Sequence, residues 1–223
     1  MKILIVSSYP PMACGIGKSA EQQAAALRAE GNLVDVLSPA EGDGDFQANL
    51  VGGMRPLRLL KYAWAYDAVW IHYAPHFYFN PADKADRLLT SFAFLLCMIL
   101  AGRKTTMVVH ETDYDLNRPA GAGSRRKLDR WWWRLAGRVV FHSELERNAF
   151  AAHYGIQASR RPFEVWTHEQ HFTRYCEADR AAARRTLGID PAATLLVSIG
   201  FIQPHKGFDR VIDALAQIPD AKH

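Results

Sequence analysis

Short apolar, β-branched runs alternate with longer runs rich in Ala, Leu and Arg along most of the chain. "KILIVSS" (Lys2–Ser8) reads as a buried parallel strand. "KSAEQQAAALRAE" (Lys18–Glu30) reads as a helix closed by Gly31, where a left-handed cap is wanted. "LVDVLSP" (Leu33–Pro39) is the next strand, and "AEGDGDFQ" follows as a loop. The alternation then repeats: helix Pro56–Tyr66, strand Ala68–Ala74, helix Lys84–Ala101, strand Thr105–Glu111, helix Ser124–Ala136, strand Arg138–Ser143 and helix Glu144–Tyr154. Strands separated by helical crossovers predict an α/β fold, a Rossmann-like doubly wound parallel sheet with helices on both faces.

The pattern changes after Arg160, where "RRPFEVWTHEQHFTRYCEADRAAARRTLGIDPA" is polar and weakly periodic. "TLLVSIGFI" (Thr194–Ile202) then reads as a new strand and "GFDRVIDALAQI" (Gly207–Ile218) as a new helix. The expected organisation is a domain over 1–165, a connector over 166–192, and the first strand and helix of a second domain over 193–223. One strand and one helix cannot bury their own apolar faces. They either dock on the first domain or begin something longer.

Composition adds bounds. Hydrophobic residues make up 49% and charged residues 22%, an ordinary globular balance that argues against disorder. The net charge of +4 is mild, so the placement of basic residues matters more than their number. Cys14, Cys97 and Cys176 are far apart and form no metal-binding spacing, which fits a reducing, cytoplasmic location. The amino end stops in Tyr-Pro-Pro rather than a cleavage site and reads as a strand, not a signal peptide. The most apolar run, Phe92–Ala101, is shorter than the ~20 residues a bilayer crossing needs and reads as a buried helix of a soluble protein.

Two glycine corners carry candidate chemistry. In "CGIGKS", Gly15 and Gly17 sit between a strand and a helix N-terminus, whose orphan N–H groups and dipole suit a phosphate, and Lys18 adds a charge. Ala20 stands where a dinucleotide fingerprint needs its third glycine, and only the tail of a Walker A loop is present. A tight turn packing helix on strand explains the same residues. In "SIGFIQPHKG", Lys206 sits beside Gly207 at a helix start, placed to pair with a diphosphate or simply to be solvated.

His110, Glu111 and Asp113 follow a strand at the edge where open α/β sheets place their sites, and His72 and His142 lie at other strand ends. Each histidine alone also reads as a structural one. The pair in "THEQHF" lacks a third ligand for a metal. "SRRKLDRWWWRLAGR" sets Arg125, Arg126, Lys127, Arg130 and Arg134 around Trp131, Trp132 and Trp133, and "RPLRLLKYAWAY" has the same flavour. Basic residues with tryptophan suit an anionic membrane surface. Successive helical residues are about 100° apart, so three tryptophans in a row cannot share one buried face. No stacking platform or reading helix suggests nucleic acid.

"YPPMACGIGKSAEQQAAAL", "VVHETD", "VVFHSELERNAF" and "VSIGFIQPHKGFDRVIDAL", in this order, resemble the front portion of a GT-B fold glycosyltransferase of the retaining family 4. The resemblance implies transfer of a sugar from a nucleoside-diphosphate sugar to a glycan or lipid-linked acceptor, without a metal or other cofactor. It implies that Gly15 and Gly17 line the interdomain cleft, His110 lines the reaction centre, Lys206 neutralises the leaving diphosphate, and Tyr9 faces the acceptor. There are departures. Cys14 replaces the first glycine of the family's loop, and Phe201 stands where an arginine is usual. The paired-glutamate motif that grips the donor is absent, so the chain is expected to be an inactive amino-terminal fragment, cytoplasmic or peripheral on the inner face of the plasma membrane. The competing readings are an acceptor- or membrane-binding module without catalysis and an unrelated Rossmann-like nucleotide-binding protein.

Overall fold

The computed structural model describes residues 1–80, 83–112, 124–156, 163–166, 178–200, 202 and 206–218, with the backbone alone for 124–126. The chain divides into two compact units, Met1–His171 and Phe172–His223.

In the first unit the order is β1 (Lys2–Val6), α1 (Gly15–Ala29), β2 (Leu33–Ser38), β3 (Phe46–Gln47), α2 (Arg58–Ala63), β4 (Ala68–Tyr73), α3 (Lys84–Ala101), β5 (Thr105–Val109), α4 (Ser124–Leu135), β6 (Arg138–Phe141), α5 (Glu144–Tyr154) and β7 (Phe163–Val165). Among the described residues the strands form one seven-stranded parallel sheet, ordered β3-β2-β1-β4-β5-β6-β7. The order reverses between β1 and β4, which is the switch point where such sheets hold ligands beyond their carboxyl ends.

Alternate side chains of each strand face opposite ways. Ile3, Ile5, Val34 and Val36 pack on Ala20 and Ala24 of α1. Leu4, Val6, Leu37, Val69, Ile71, Met107, Val109, Val139 and Phe141 face the other way, into a larger core with residues of α2, α3, α4 and α5. The doubly wound expectation is met, with helices on both faces. Gly31 ends α1 as expected, at φ 84°, where a side chain would strain the backbone.

Some elements differ from their expectation. Phe46–Gln47, read as loop, adds a short edge strand because Ala48 N–H donates to Ser38 O, continuing the ladder. Phe163–Val165, in the polar, weakly periodic stretch that begins at Arg160, pairs with β6, and that pairing rather than its own pattern makes it a strand. The apolar run in α3 is not a buried helix: Phe92, Ile99 and Leu100 are exposed while Ala93, Phe94, Cys97 and Met98 are buried. By length and composition Lys84–Lys104 could cross a membrane, yet one side of α3 is built into the core.

The tryptophan triplet splits. Trp131 is exposed, whereas Trp132 and Trp133 are fully buried. This corrects the expectation that all three meet a membrane surface. Trp132 stacks on Phe94 and donates its indole N–H to Asp129, and Trp133 meets Tyr73 and Phe150 edge-on. The side chains of Arg125 and Arg126 lie outside the described residues.

The second unit holds α6 (Arg180–Thr186) and α7 (Phe208–Ala216). The expected strand over Thr194–Ile202 is not formed among its described residues, and Leu196, Val197, Ile199 and Ile202 are exposed. A strand exists by pairing, and no ladder partner stands beside this run among the described residues.

Burial separates the neighbouring indoles sharply, so their truncations should separate too. Trp132→Ala should cost about 3–5 kcal/mol, the usual range for emptying a large aromatic site. Trp131→Ala should stay within about 0.5 kcal/mol. Urea unfolding at neutral pH checks both.

Candidate functional site

The carboxyl ends of β4, β5 and β6 bring three histidines together. His72 pairs with Val108 across β4 and β5, and Val108 pairs with Val140 across β5 and β6. His110 and His142, each two residues further on, therefore share the face of His72. The His72 and His110 rings stack with centroids 4.9 Å apart, and His110 and His142 are also 4.9 Å apart. His110 Nε2 lies 2.9 Å from His72 Nδ1, and His72 Nε2 lies 2.9 Å from Gln23 Oε1 of α1.

These contacts fix where the protons sit. The Gln23 carbonyl can only accept, so His72 carries its proton on Nε2. Burial, with the nearby charge of His142 adding to it, pushes the His72 pKa down to about 3. A neutral His72 protonated on Nε2 has a bare Nδ1, which accepts from His110 Nε2–H. The neutral form of His110 is thereby held with Nδ1 as its accepting nitrogen. Its backbone N–H donates to Tyr73 O at 2.9 Å, fixing the strand end. His142 donates from Nδ1 to Trp166 O at 3.3 Å.

Other expected residues fall in varied places. Glu111 is exposed, with Oε2 3.3 Å from His76 Nδ1, and Asp113 lies outside the described residues. Gly15 opens α1 with nothing within 4 Å of where a Cβ would stand. At Gly17 a Cβ would come within 3.1 Å of the Ser8 carbonyl carbon, so this glycine lets α1 close on the end of β1. The turn-packing reading thus fits Gly17, while Gly15 is open to a ligand. Cys14 caps α1 without a side-chain hydrogen bond to the helix. Lys18 pairs with Glu21 one turn on, and Tyr9 packs half-buried against the α1 side of the sheet. Lys206 is exposed in the second unit, beside Gly207 at φ 66°.

A cavity of about 200 Å³ lies at the ends of β1 and β2, beside the switch point, lined by Ser7, Ser8, Ser38, Glu41, Asn49 and Tyr78 among others. The buried Ser7 hydroxyl has no hydrogen-bond partner among the described residues. Among the described residues, no group of three His, Cys, Asp or Glu is arranged to hold a metal ion.

Reading residues singly noted His72 and His142 at strand ends but left them as structural histidines, and it missed Gln23 and the cavity. The signal for the histidines was present, since "WIHYAP", "VVHETD" and "VVFHSE" each place one at the end of an apolar strand. Parallel neighbours bring such ends side by side. Gln23 and the cavity carry no local signature.

A buried histidine held at a pKa of about 3, below its ordinary 6.5, makes stability depend on pH. The unfolded chain takes up the proton first, so this contribution is complete above about pH 6.5 and is lost as pH falls toward 3. Between pH 7 and pH 5 the group should remove about 2 kcal/mol from the wild type. Urea unfolding of the wild type and His72→Asn at both pH values should show a smaller loss in the variant. Equal losses would mean that His72 is protonated in the fold.

The family model described as Glycosyltransferase Family 4 matches residues 13–166. The D-inositol 3-phosphate glycosyltransferase of Rhodococcus opacus (strain B4) is 37% identical over 81 residues, covering 36% of this chain and 18% of that protein. The enzyme of the same name from Mycobacterium sp. (strain KMS) is 33% identical over 87 residues, 39% of this chain and 19% of its own length. That of Mycolicibacterium gilvum (strain PYR-GCK) is 48% identical over 46 residues, 21% and 10% of the two lengths. The matched stretches thus span less than a fifth of these relatives. With the family model covering well over half the residues, on a parallel α/β sheet of the kind such enzymes use, the chain belongs to glycosyltransferase family 4.

Proposed function

We propose that this chain forms the acceptor side of a glycosyltransferase that moves a sugar from a nucleoside-diphosphate sugar to an acceptor hydroxyl, with retention and without a metal ion. The observation that carries the reading is the histidine chain. His110 is only part-buried and sits at the strand edge, with its proton placed by His72 and Gln23 behind it. Its Nδ1 then accepts a hydrogen bond from a sugar or acceptor hydroxyl and fixes that oxygen. Tyr9, Lys18, Glu111 and Asp113 belong to the acceptor side in this reading, and the open N-terminus of α1 at Gly15 faces donor phosphate. Lys206 serves the leaving diphosphate. Retention, metal independence and the roles of Lys206 and Tyr9 rest on the family resemblance.

The matched relatives are named for D-inositol 3-phosphate, which makes a phosphorylated polyol the first acceptor to try. The cavity beside Ser7, with an unpartnered hydroxyl in its wall, supports an acceptor held near the switch point. Cys14 and Cys97 are free thiols, which supports a reducing, cytoplasmic setting.

Calorimetric titration of residues 1–223 with UDP, GDP and D-inositol 3-phosphate tests the reading. The nucleotides should fail to saturate the chain at millimolar concentration, and no sugar transfer should occur. The polyol phosphate should bind, and His110→Ala should weaken it about tenfold, the worth of one hydrogen bond. Tight nucleotide binding or turnover by this chain alone would contradict the division of labour. Unchanged polyol binding in His110→Ala would remove His110 from the site.

A further inference from the structure

α3 buries Phe94, Cys97 and Met98 but leaves its other face apolar as well. The small or polar Thr90, Ser91 and Ala93 are buried, while Leu88, Leu89, Phe92, Ile99 and Leu100 are 40–59% exposed. These five recur at helical spacing as a stripe from Leu88 to Leu100, roughly 18 Å long. A contiguous apolar ridge of this length on an outer surface marks an interaction site.

What flanks the ridge decides its partner. α3 packs between α2 and α4 on one side of the sheet, and the turns after α3 and α4 are joined by Gly137 N–H donating to Gly102 O at 2.6 Å. On α2 stand exposed Arg58 and Lys61, followed by Trp64, which is 68% exposed. On α4 stand exposed Lys127, Arg130 and Arg134, with the Arg134 guanidinium 5.5 Å from the centroid of the exposed Trp131 ring. The acidic residue of these two flanking helices, Asp129, is buried against the Trp132 indole. Each side of the ridge thus carries cations and one solvent-facing indole. A second copy laid on the same ridge would set basic flank against basic flank, a repulsive match.

We propose that the outer surface of α2, α3 and α4 seats the protein on an anionic lipid bilayer. The α3 ridge lies in the plane of the interface at the acyl boundary, Trp64 and Trp131 sit at headgroup level, and the lysines and arginines meet lipid phosphates. The helix does not cross the bilayer, because its other side is the protein core. This surface is separate from the histidine chain and stands whether or not the sugar-transfer reading does.

Co-sedimentation of residues 1–223 with vesicles tests it, using phosphatidylcholine alone and phosphatidylcholine mixed with phosphatidylglycerol. The protein should sediment with the mixed vesicles, and less so as salt rises. Each charge removed should weaken binding about fivefold, so Arg130→Gln with Arg134→Gln should weaken it about 25-fold. Phe92→Ser, on an exposed site that leaves the core intact, should weaken binding on the order of tenfold through lost apolar burial. Circular dichroism of each variant should match the wild type, so that loss of binding is read from a folded protein. No binding to mixed vesicles, or binding that ignores both variants, would overturn the proposal. So would a dimer in sedimentation equilibrium that Phe92→Ser dissolves, since a second copy would then own the ridge.

Discussion

The in-register parallel pairing of β4, β5 and β6 is the constraint on which the site depends. Parallel strands carry evenly spaced hydrogen bonds, and a residue's height in one strand sets its height in the next. Because His72, Val108 and Val140 share that ladder, the residues just beyond it stack on one face, and His110 is caught between two other imidazoles. The helices on the larger core face hold the register by burying alternate strand residues. A slip of one residue would turn the histidines into that apolar core. Burial of His72 then does chemical work, since it keeps the ring neutral and lets Gln23 decide which nitrogen of His110 bears a proton.

Much of this fold is legible in the chain. The runs at Lys2–Ser8, Ala68–Ala74, Thr105–Glu111 and Arg138–Ser143 are apolar on both faces, as strands of a covered parallel sheet must be. The helices between them lie within a few residues of their expected bounds. What escaped reading was set by pairing rather than by pattern. Phe46–Gln47 and Phe163–Val165 are strands because a neighbour offers a ladder, and Thr194–Ile202, which has the stronger strand composition, forms none in its described residues.

The site was half legible for the same reason. His110 was visible from its motif, but His72 and His142 looked like ordinary core histidines until the strand order placed them beside it. Gln23 reaches His72 from a different helix, a relation no local spacing encodes. The tryptophans show the limit of helical periodicity: it requires one of Trp131–Trp133 to face outward, and packing against Phe94, Tyr73 and Phe150 chose Trp131. On α3, composition suggested burial, and only the structure shows that Thr90 and Ser91 turn inward while Leu89 and Phe92 turn outward.

The most direct test of the histidine account is a nitrogen–proton correlation spectrum of the imidazoles in residues 1–223, followed from pH 8 to pH 5. The account requires neutral His72 and His110 at the alkaline end, both protonated on Nε2, with His72 unchanged down to the acid end. An imidazolium at His72 near pH 6, or a proton on Nδ1 of either ring, would show that the Gln23–His72–His110 chain does not set the state of the site.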